Sequence, residues 1–301
     1  MAVENPTILG QTYATPVTGT AITLTKPSGV TPTDLLLIIV ASADTGTTGW
    51  NEVSGWNLII NVGTGTSDSD LGVYWRLADG SEGADQEITR TSSENCHGWY
   101  LRVGPVNQST PINIVGTVTI QSGSSINALA VTTTEDHCLA FACFGFDGSD
   151  STWTITGTGW NEVDDKQTST GTGGVSSAFA IKDMDAQGPT DNCLGTNLST
   201  DGELAIQFAV MGGEPPQEYK VEGITKDKDG TALGSCHTFL CKDNGDNTCS
   251  FIAYVLSNVI TGAYSFAGLY NNDPAYFVIS WKDDTPHVFD VTDHVLQPMV
   301  V

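Results

Sequence analysis

The segment Thr33–Asp79, TDLLLIIVASADTGTTGWNEVSGWNLIINVGTGTSDSDLGVYWRLAD, decides the fold, because it holds two apolar strands with turn segments between them. Much of its pattern recurs later in the chain, in Glu135–Asp185, EDHCLAFACFGFDGSDSTWTITGTGWNEVDDKQTSTGTGGVSSAFAIKDMD. The matched segments are Asp34 with Asp136, Leu35–Val40 with His137–Ala142, Trp56 with Trp160, Thr64–Thr66 with Thr170–Thr172, and Leu71–Trp75 with Ser177–Ile181. The offset drifts only slightly, which indicates a degenerate internal duplication. Repeats this long are halves of a duplicated sandwich, since solenoid units are shorter.

The duplication extends beyond this central segment in both directions. Trp99–Val103 corresponds to Glu203–Gln207, and Thr18–Ile22 corresponds to Gln121–Ser125. We therefore expect two half-repeats, at about residues 10–118 and 119–212.

The apolar pattern of the first 212 residues is that of strands. Asp34–Ala41 is a continuous apolar run, long enough for a strand that is buried on both faces. In Leu71–Ala78, apolar residues such as Val73 and Trp75 alternate with residues such as Gly72 and Arg76, which is the pattern of a half-buried strand. Short strands with turn residues between them predict an all-β fold, a jelly-roll-type β-sandwich. The pattern leaves open whether the two halves form one sandwich or two.

A composition change marks the end of this region. Gly212–Gln217 combines two glycines with two prolines, as inter-domain linkers often do, so we place a linker at residues 213–218. Residues 219–301 then read as a second, smaller unit of short strands.

The second unit resembles the carboxypeptidase-regulatory-like, prealbumin-type domains. The resemblance rests on Val221–Ile224 followed by Asp227–Leu233, on Thr261–Phe266, and on Tyr276 at the head of a later strand. It implies a small seven-stranded immunoglobulin-like sandwich and carries no chemistry. Such domains are often appended to surface proteins of tailed bacteriophages.

The first 212 residues also resemble tailed-bacteriophage virion proteins. The resemblance rests on the strand start at Thr33–Leu37, on Ser54–Ile59 and on Val73–Ala78. This chain departs from that pattern at the polar Thr33 and in a Thr/Gly insert at Thr45–Gly49. The resemblance implies a structural or attachment role on a virion.

Composition limits the partners. The 301 residues include 11 Lys and Arg against 35 Asp and Glu, a net charge of −24. A chain this acidic is repelled by nucleic-acid phosphates and by anionic membranes, so we expect neither as a partner. Met1–Pro6 lacks the basic start and apolar stretch of a signal peptide, which predicts synthesis in the host cytoplasm. An odd, scattered set of seven cysteines then indicates reduced thiols, although Cys241 and Cys249 could face each other across a hairpin.

Acidic residues could support catalysis or bind calcium. A carboxylate pair at a suitable distance could hydrolyse a glycoside, although neighbouring acids are expected by chance on such a surface. The candidate carboxylates are Asp68, Asp70, Asp79, Asp147, Asp150, Asp164, Asp165, Asp183 and Asp185. Asp68 and Asp70, and Asp243 and Asp246, are also candidate calcium ligands, and solvated hairpins are the alternative interpretation. The five histidines lack the spacing of a zinc site.

Tryptophans next to loops could bind sugars. Exposed indoles stack on pyranose rings, whereas most tryptophans in proteins are largely buried. We expect Trp56 and Trp160 to fill equivalent ends of the core, and we keep Trp50 and Trp153 as candidate glycan-binding residues.

Together these patterns favour a non-enzymatic bacteriophage virion structural protein. It would decorate the capsid or form part of the neck, tail or a fibre, in contact with other virion proteins and with copies of itself. Two alternatives stay open: a lectin-like adhesin that binds host glycans through loop tryptophans, and a glycoside hydrolase. The structural hypothesis predicts no catalytic residues and no required cofactor, with calcium as the one candidate ion.

Overall fold

All regular elements in the described part of the chain are β-strands, which confirms the predicted all-β sandwich. The computed structural model describes residues 3–43, 49–63, 69–148, 152–168, 174–214, 218–226, 229–243, 249–270, 276–281, 290–291 and 299–300. The chain divides into two compact units, Met1–Pro215 and Pro216–Val301. This division falls inside the segment 213–218 that the sequence indicates as a linker.

The described part of the N-terminal unit contains two antiparallel sheets, one built from residues 7–104 and the other from residues 112–211. The boundary between the halves therefore lies between β5 and β6, and not at residue 118 as the sequence indicates. The first sheet has the order β1-β5-β2-β4-β3, and in the second β12-β8-β11-β10 repeats β5-β2-β4-β3. Strands β6 and β7 both pair with β12 and together take the place of β1. The strands are β1 Thr7–Thr25, β2 Leu35–Ala43, β3 Asn57–Gly63, β4 Ser69–Leu77, β5 Asp85–Gly104, β6 Ile112–Val115, β7 Thr119–Ala128, β8 Cys138–Asp147, β9 Thr154–Thr156, β10 Asn161–Gln167, β11 Val175–Met184 and β12 Cys193–Met211.

The two sheets pack face to face around one central core. Strand β2 is buried along its whole length, as its apolar run predicts, and β8 is buried in all but its last residue. Alternate residues of the two strands, such as Leu37 and Phe141, meet in the largest apolar cluster. Residues 1–212 therefore form one sandwich, which answers the question that the sequence leaves open.

The outer faces of β2 and β8, which point away from the central core, are also covered by apolar side chains. Ile38 of β2 packs with Ile22 and Ile88, which belong to the long arm that β1 and β5 form as an antiparallel pair. Phe144 of β8 packs with Ile126 of the equivalent β7–β12 arm. Each arm therefore folds back over the outer face of its sheet. The three apolar clusters each stabilise the unit in proportion to the apolar area that they bury.

The strand registers correct part of the sequence alignment of the two halves. Ile39 lies opposite Val73 and Trp99, and in the second sheet Cys143 lies opposite Phe179 and Ile206. The sequence alignment correctly pairs Val73 with Phe179. It wrongly pairs Ile39 with Phe141, Trp99 with Glu203 and Gly19 with Ser122. The structural equivalents are Cys143, Ile206 and Gly123. The alignment is displaced by two, three and one residues at these positions. Only the two-residue displacement keeps each side chain on the same face of a strand, so the apolar pattern does not reveal that one.

The described residues of the C-terminal unit include seven strands in two small sheets. Its strands are β13 Glu218–Ile224, β14 His237–Asp243, β15 Cys249–Leu256, β16 Ala263–Tyr270, β17 Tyr276–Trp281, β18 Asp290–Val291 and β19 Met299–Val300. One sheet has the order β16-β13-β19 and the other β15-β14-β17-β18. Leu240, Phe266 and Val278 form a small core. This arrangement agrees with the small sandwich predicted for residues 219–301.

Candidate interaction surface

The two candidate glycan-binding tryptophans are buried. Trp50 is 3% exposed, and the Arg90 guanidinium carbon lies 5.2 Å from the centre of its ring. Trp153 is 4% exposed, with its ring centre 5.5 Å from that of Phe144. Stacking on a sugar requires an exposed indole face, so the prediction that these two residues bind glycans is corrected. The sequence places them beside loops but does not show that neighbouring segments cover them.

Trp56 and Trp160 occupy equivalent positions, as the duplication predicts. Each immediately precedes the first residue of an edge strand, Asn57 in β3 and Asn161 in β10, and those two residues have equivalent partners in β4 and β11. Trp160 is buried, whereas Trp56 is partly buried and donates a hydrogen bond from Nε1 to Oε1 of Gln86 at 3.1 Å. Both indoles therefore pack onto the outer clusters of their sheets.

The candidate calcium ligands do not come together in the described residues. Asp68 and Asp246 lie outside those residues, and Asp243 ends β14. Asp70 is fully buried, with its Oδ2 atom 3.0 Å from a terminal nitrogen of Arg90. A cation this close disfavours a bound Ca²⁺. Across the described ranges, no group of three or more His, Cys, Asp or Glu side chains could hold a metal ion.

Other candidate carboxylates have structural partners. Asp164 accepts a hydrogen bond from Nε1 of Trp99 at 2.9 Å and also pairs with Lys166. Asp165 accepts a hydrogen bond from the backbone N–H of Trp153 at 3.1 Å. Asp79 pairs with Arg76 at 3.0 Å in an exposed turn, where hydrogen bonds from Ser81 lower the pKa of Asp79. Asp150 lies outside the described residues.

A buried histidine joins the two sheets. His97 of β5 is fully buried, with its Nε2 atom 2.7 Å from the hydroxyl of Ser177 in β11 and its Nδ1 atom 3.1 Å from that of Tyr13 in β1. Burial lowers the pKa of His97 to about 3, an effect that nearby Lys166 reinforces and Asp164 opposes. A neutral imidazole has one donor and one acceptor nitrogen, so one hydroxyl donates to the ring and the other accepts from it.

This pair has the residue types of a nucleophile and its base but not the access. Both Ser177 and His97 are 0% exposed, whereas a nucleophile must reach its substrate. The Ser177–His97 hydrogen bond instead links the second sheet to the first in an apolar interior, and the Tyr13 hydrogen bond, within the first sheet, orients the imidazole ring. From the sequence, His97 is one of five histidines that lack the spacing of a zinc site, and no structural role for it is predicted. The available signal is that polar residues interrupt two largely apolar runs, His97 in CHGWYLRV and Ser176–Ser177 in VSSAFAI, which marks them as buried polar groups but does not pair them.

Both halves contain the same irregularity, a polar bulge. In β5, residues between Thr89 and Glu94 bulge out of the ladder, and in β12 the bulge lies between Thr196 and Asp201. The first residue of each bulge turns inward to a buried carboxylate. Arg90 pairs with Asp70, and Nδ2 of Asn197 donates to Oε1 of Glu203 at 2.7 Å. Burial raises the pKa of Glu203, although hydrogen bonds from Gln121 and Asn197 oppose the shift.

The cysteines of the N-terminal unit are buried free thiols, as the reduced state predicts. Burial raises the pKa of Cys96 and Cys138 to about 11 and that of Cys193 to about 12. In the C-terminal unit, Cys241 lies opposite Phe251 and Cys249 opposite Asp243. The two cysteines are therefore not cross-strand neighbours in the hairpin.

Among the described residues of the C-terminal unit, exposed apolar side chains are concentrated on β15 and the turn that follows it. We call this surface the β15 patch; its residues are Phe251 (62% exposed), Ile252 (41%), Tyr254 (48%), Leu256 (50%), Val259 (71%) and Ile260 (82%). Alternate residues Ala253 and Val255 pack against the small core, so the patch faces away from it. The ring of Phe239 in β14 supports the patch at 5.0 Å from Tyr254 and 5.8 Å from Phe251, measured between centroids. Exposed apolar groups clustered in this way mark contact sites.

Comparison of this chain with protein-family models, curated proteins and solved structures found no match. The described segments contain no helix that is long and apolar enough to cross a membrane.

Proposed function

We propose that this protein is a non-enzymatic structural protein of a bacteriophage virion that acts through surface contacts. The proposal places it among the proteins that decorate a capsid or form part of the neck, tail or a fibre. The virion context comes from the resemblances of both regions of the sequence. The observation that carries the contact role is the β15 patch, an apolar surface on a chain with a net charge of −24.

The use of polar side chains inside the N-terminal unit supports the same proposal. His97 and Ser177 join the two sheets, while Arg90 and Asp70 stabilise a bulge from within. A protein that carries load between neighbours needs a sandwich whose layers do not slide, and buried directional bonds restrict such sliding. Partners of this chain are therefore proposed to be other virion proteins and further copies of itself.

Purified particles test this function. Virions produced in a host that expresses the chain are banded on a density gradient, and the chain is quantified in copies per particle by mass spectrometry. We expect a fixed copy number that is a multiple of the symmetry of one virion substructure. If the chain is absent from banded particles, the proposal is wrong.

A matched assay addresses the enzymatic alternative. We expect purified protein to release no sugar from host-surface polysaccharide, and an Asp164→Asn variant to behave as the parent does. Hydrolysis by the parent that is lost in this variant would overturn the non-enzymatic assignment.

A further inference from the structure

We propose that two copies of this chain associate through the β15 patch, with their β15 strands paired antiparallel about a two-fold axis. The inference deepens the proposed function, because it names one partner for the contact surface. It rests on three observations: the position of β15, its sequence, and the charge of the surrounding chain.

Strand β15 ends its sheet among the described strands, in the order β15-β14-β17-β18. An edge strand presents backbone N–H and C=O groups that can add another strand, and natural proteins usually protect it with lysine or proline. Cys249–Leu256, CSFIAYVL, contains neither. One bulge at Ile252, between the pairs Leu240–Ala253 and Cys241–Phe251, leaves Ala253–Leu256 as the regular part of the edge.

The charge distribution favours a second copy as the occupant. The chain carries −24 overall, so two copies repel each other over most of their surfaces. The stretch from Cys249 to Asn272 contains no Asp, Glu, Lys, Arg or His, which makes it a place where copies can approach without that repulsion. A partner selected by charge would be basic and would bind the acidic surface elsewhere.

A two-fold antiparallel pair is also self-complementary. The same strand contributes to both sides, so every backbone donor on one copy meets an acceptor on the other. With the two-fold axis at Tyr254, this residue lies opposite Tyr254 of the second copy and Leu256 lies opposite Ile252, and aromatic and aliphatic cross-strand pairs stabilise such ladders. Val259 and Ile260, in the turn that follows the strand, are also exposed.

The experiment measures the association of the full chain by sedimentation velocity over a wide range of protein concentration. We expect a reversible monomer–dimer equilibrium that becomes tighter as NaCl rises, since salt screens the repulsion between acidic surfaces. Tyr254→Lys places a charge opposite itself in the pair, and Leu256→Lys places one in the apolar ladder opposite Ile252; each should weaken the dimer at least about tenfold. Leu198→Lys is the matched control, because Leu198 is 82% exposed in the N-terminal unit.

A second measurement confirms the geometry without relying on affinity. Tyr254→Cys should give a covalent dimer under mild oxidation, and Leu198→Cys should not. A chain that stays monomeric at all concentrations, or a dimer that the two lysine variants leave unchanged, overturns the pairing. Failure here differs from failure of the proposed function: a monomer found in virions removes only the pairing, whereas a dimer absent from virions removes only the virion role.

Discussion

The hydroxyl of Ser177 lies 2.7 Å from Nε2 of His97, although the two residues belong to different sheets and to different halves of the duplication. Both side chains are fully buried, so the contact is one of the few polar links across an otherwise apolar interface. Its protonation therefore affects the stability of the N-terminal unit.

His97 should make this unit sensitive to acid. Burial lowers its pKa in the folded state from 6.5 to about 3, so between these values the unfolded chain binds one more proton than the folded chain. Stability contributed by neutral His97 is therefore present above about pH 6.5 and is lost as the pH falls towards 3. The expected slope of the free energy of unfolding from this residue is about 1.4 kcal/mol per pH unit.

Variants isolate this contribution. His97→Gln removes the titration and should flatten the pH dependence of the free energy of unfolding between pH 4 and 6, as measured by urea titration with tryptophan fluorescence. Ser177→Ala is the control, because it lowers stability but keeps the imidazole and its slope. Comparison with the parent chain cancels Glu203, whose raised pKa acts with the opposite sign. Equal slopes in His97→Gln and the parent would contradict the prediction.

The buried ion pair of the first bulge should be costly to break. Arg90→Met removes the guanidinium that pairs with the buried Asp70 carboxylate, and we expect a loss of about 3–5 kcal/mol in the free energy of unfolding. The double variant Arg90→Met with Asp70→Asn should recover part of this loss, since neither charge remains. Arg76→Met is the control. Its side chain is 20% exposed and pairs with the exposed Asp79 and with the side chain of Glu82, so we expect a smaller loss than for Arg90→Met.

Two glycines that precede the equivalent tryptophans should resist substitution. Gly55 has φ 78° and Gly159 has φ 76°, in the left-handed region that alanine disfavours. Gly55→Ala and Gly159→Ala should each cost about 1–2 kcal/mol in thermal or urea unfolding. Gly83→Ala is the matched control, since that glycine does not have a positive φ. Similar costs for all three variants would indicate that φ is not the cause.

The buried thiols should be inert in the folded protein. Cys96, Cys138, Cys143 and Cys193 are buried free thiols with raised pKa, so little thiolate forms at neutral pH. Ellman's reagent should modify these four only after denaturation, and peptide mapping identifies which cysteines have reacted. Labelling of any of the four in native protein would show that the sheets open more readily than their packing indicates.

The sequence was sufficient for features that depend on local pattern. The apolar run at Leu35 predicted a strand buried on both faces, and the repeated Gly-Trp-Asn at Gly55 and Gly159 matched equivalent turns. Contacts between residues far apart in the sequence could not be predicted from it. His97 and Ser177 are 80 residues apart, and nothing local to either predicts their contact. Trp50 and Trp153 lie beside loops in the sequence, but distant segments bury them.

The central core has a consequence for how the N-terminal unit holds together. The equivalent faces of β2 and β8 meet there, so the unit resembles a homodimer whose two subunits have been joined in one polypeptide. Joining makes their docking intramolecular, with an effective concentration far above that of any free subunit, so dilution cannot separate the halves. The two halves also no longer need identical sequences, so each can change independently. A buried arginine supports one bulge where an asparagine supports the other.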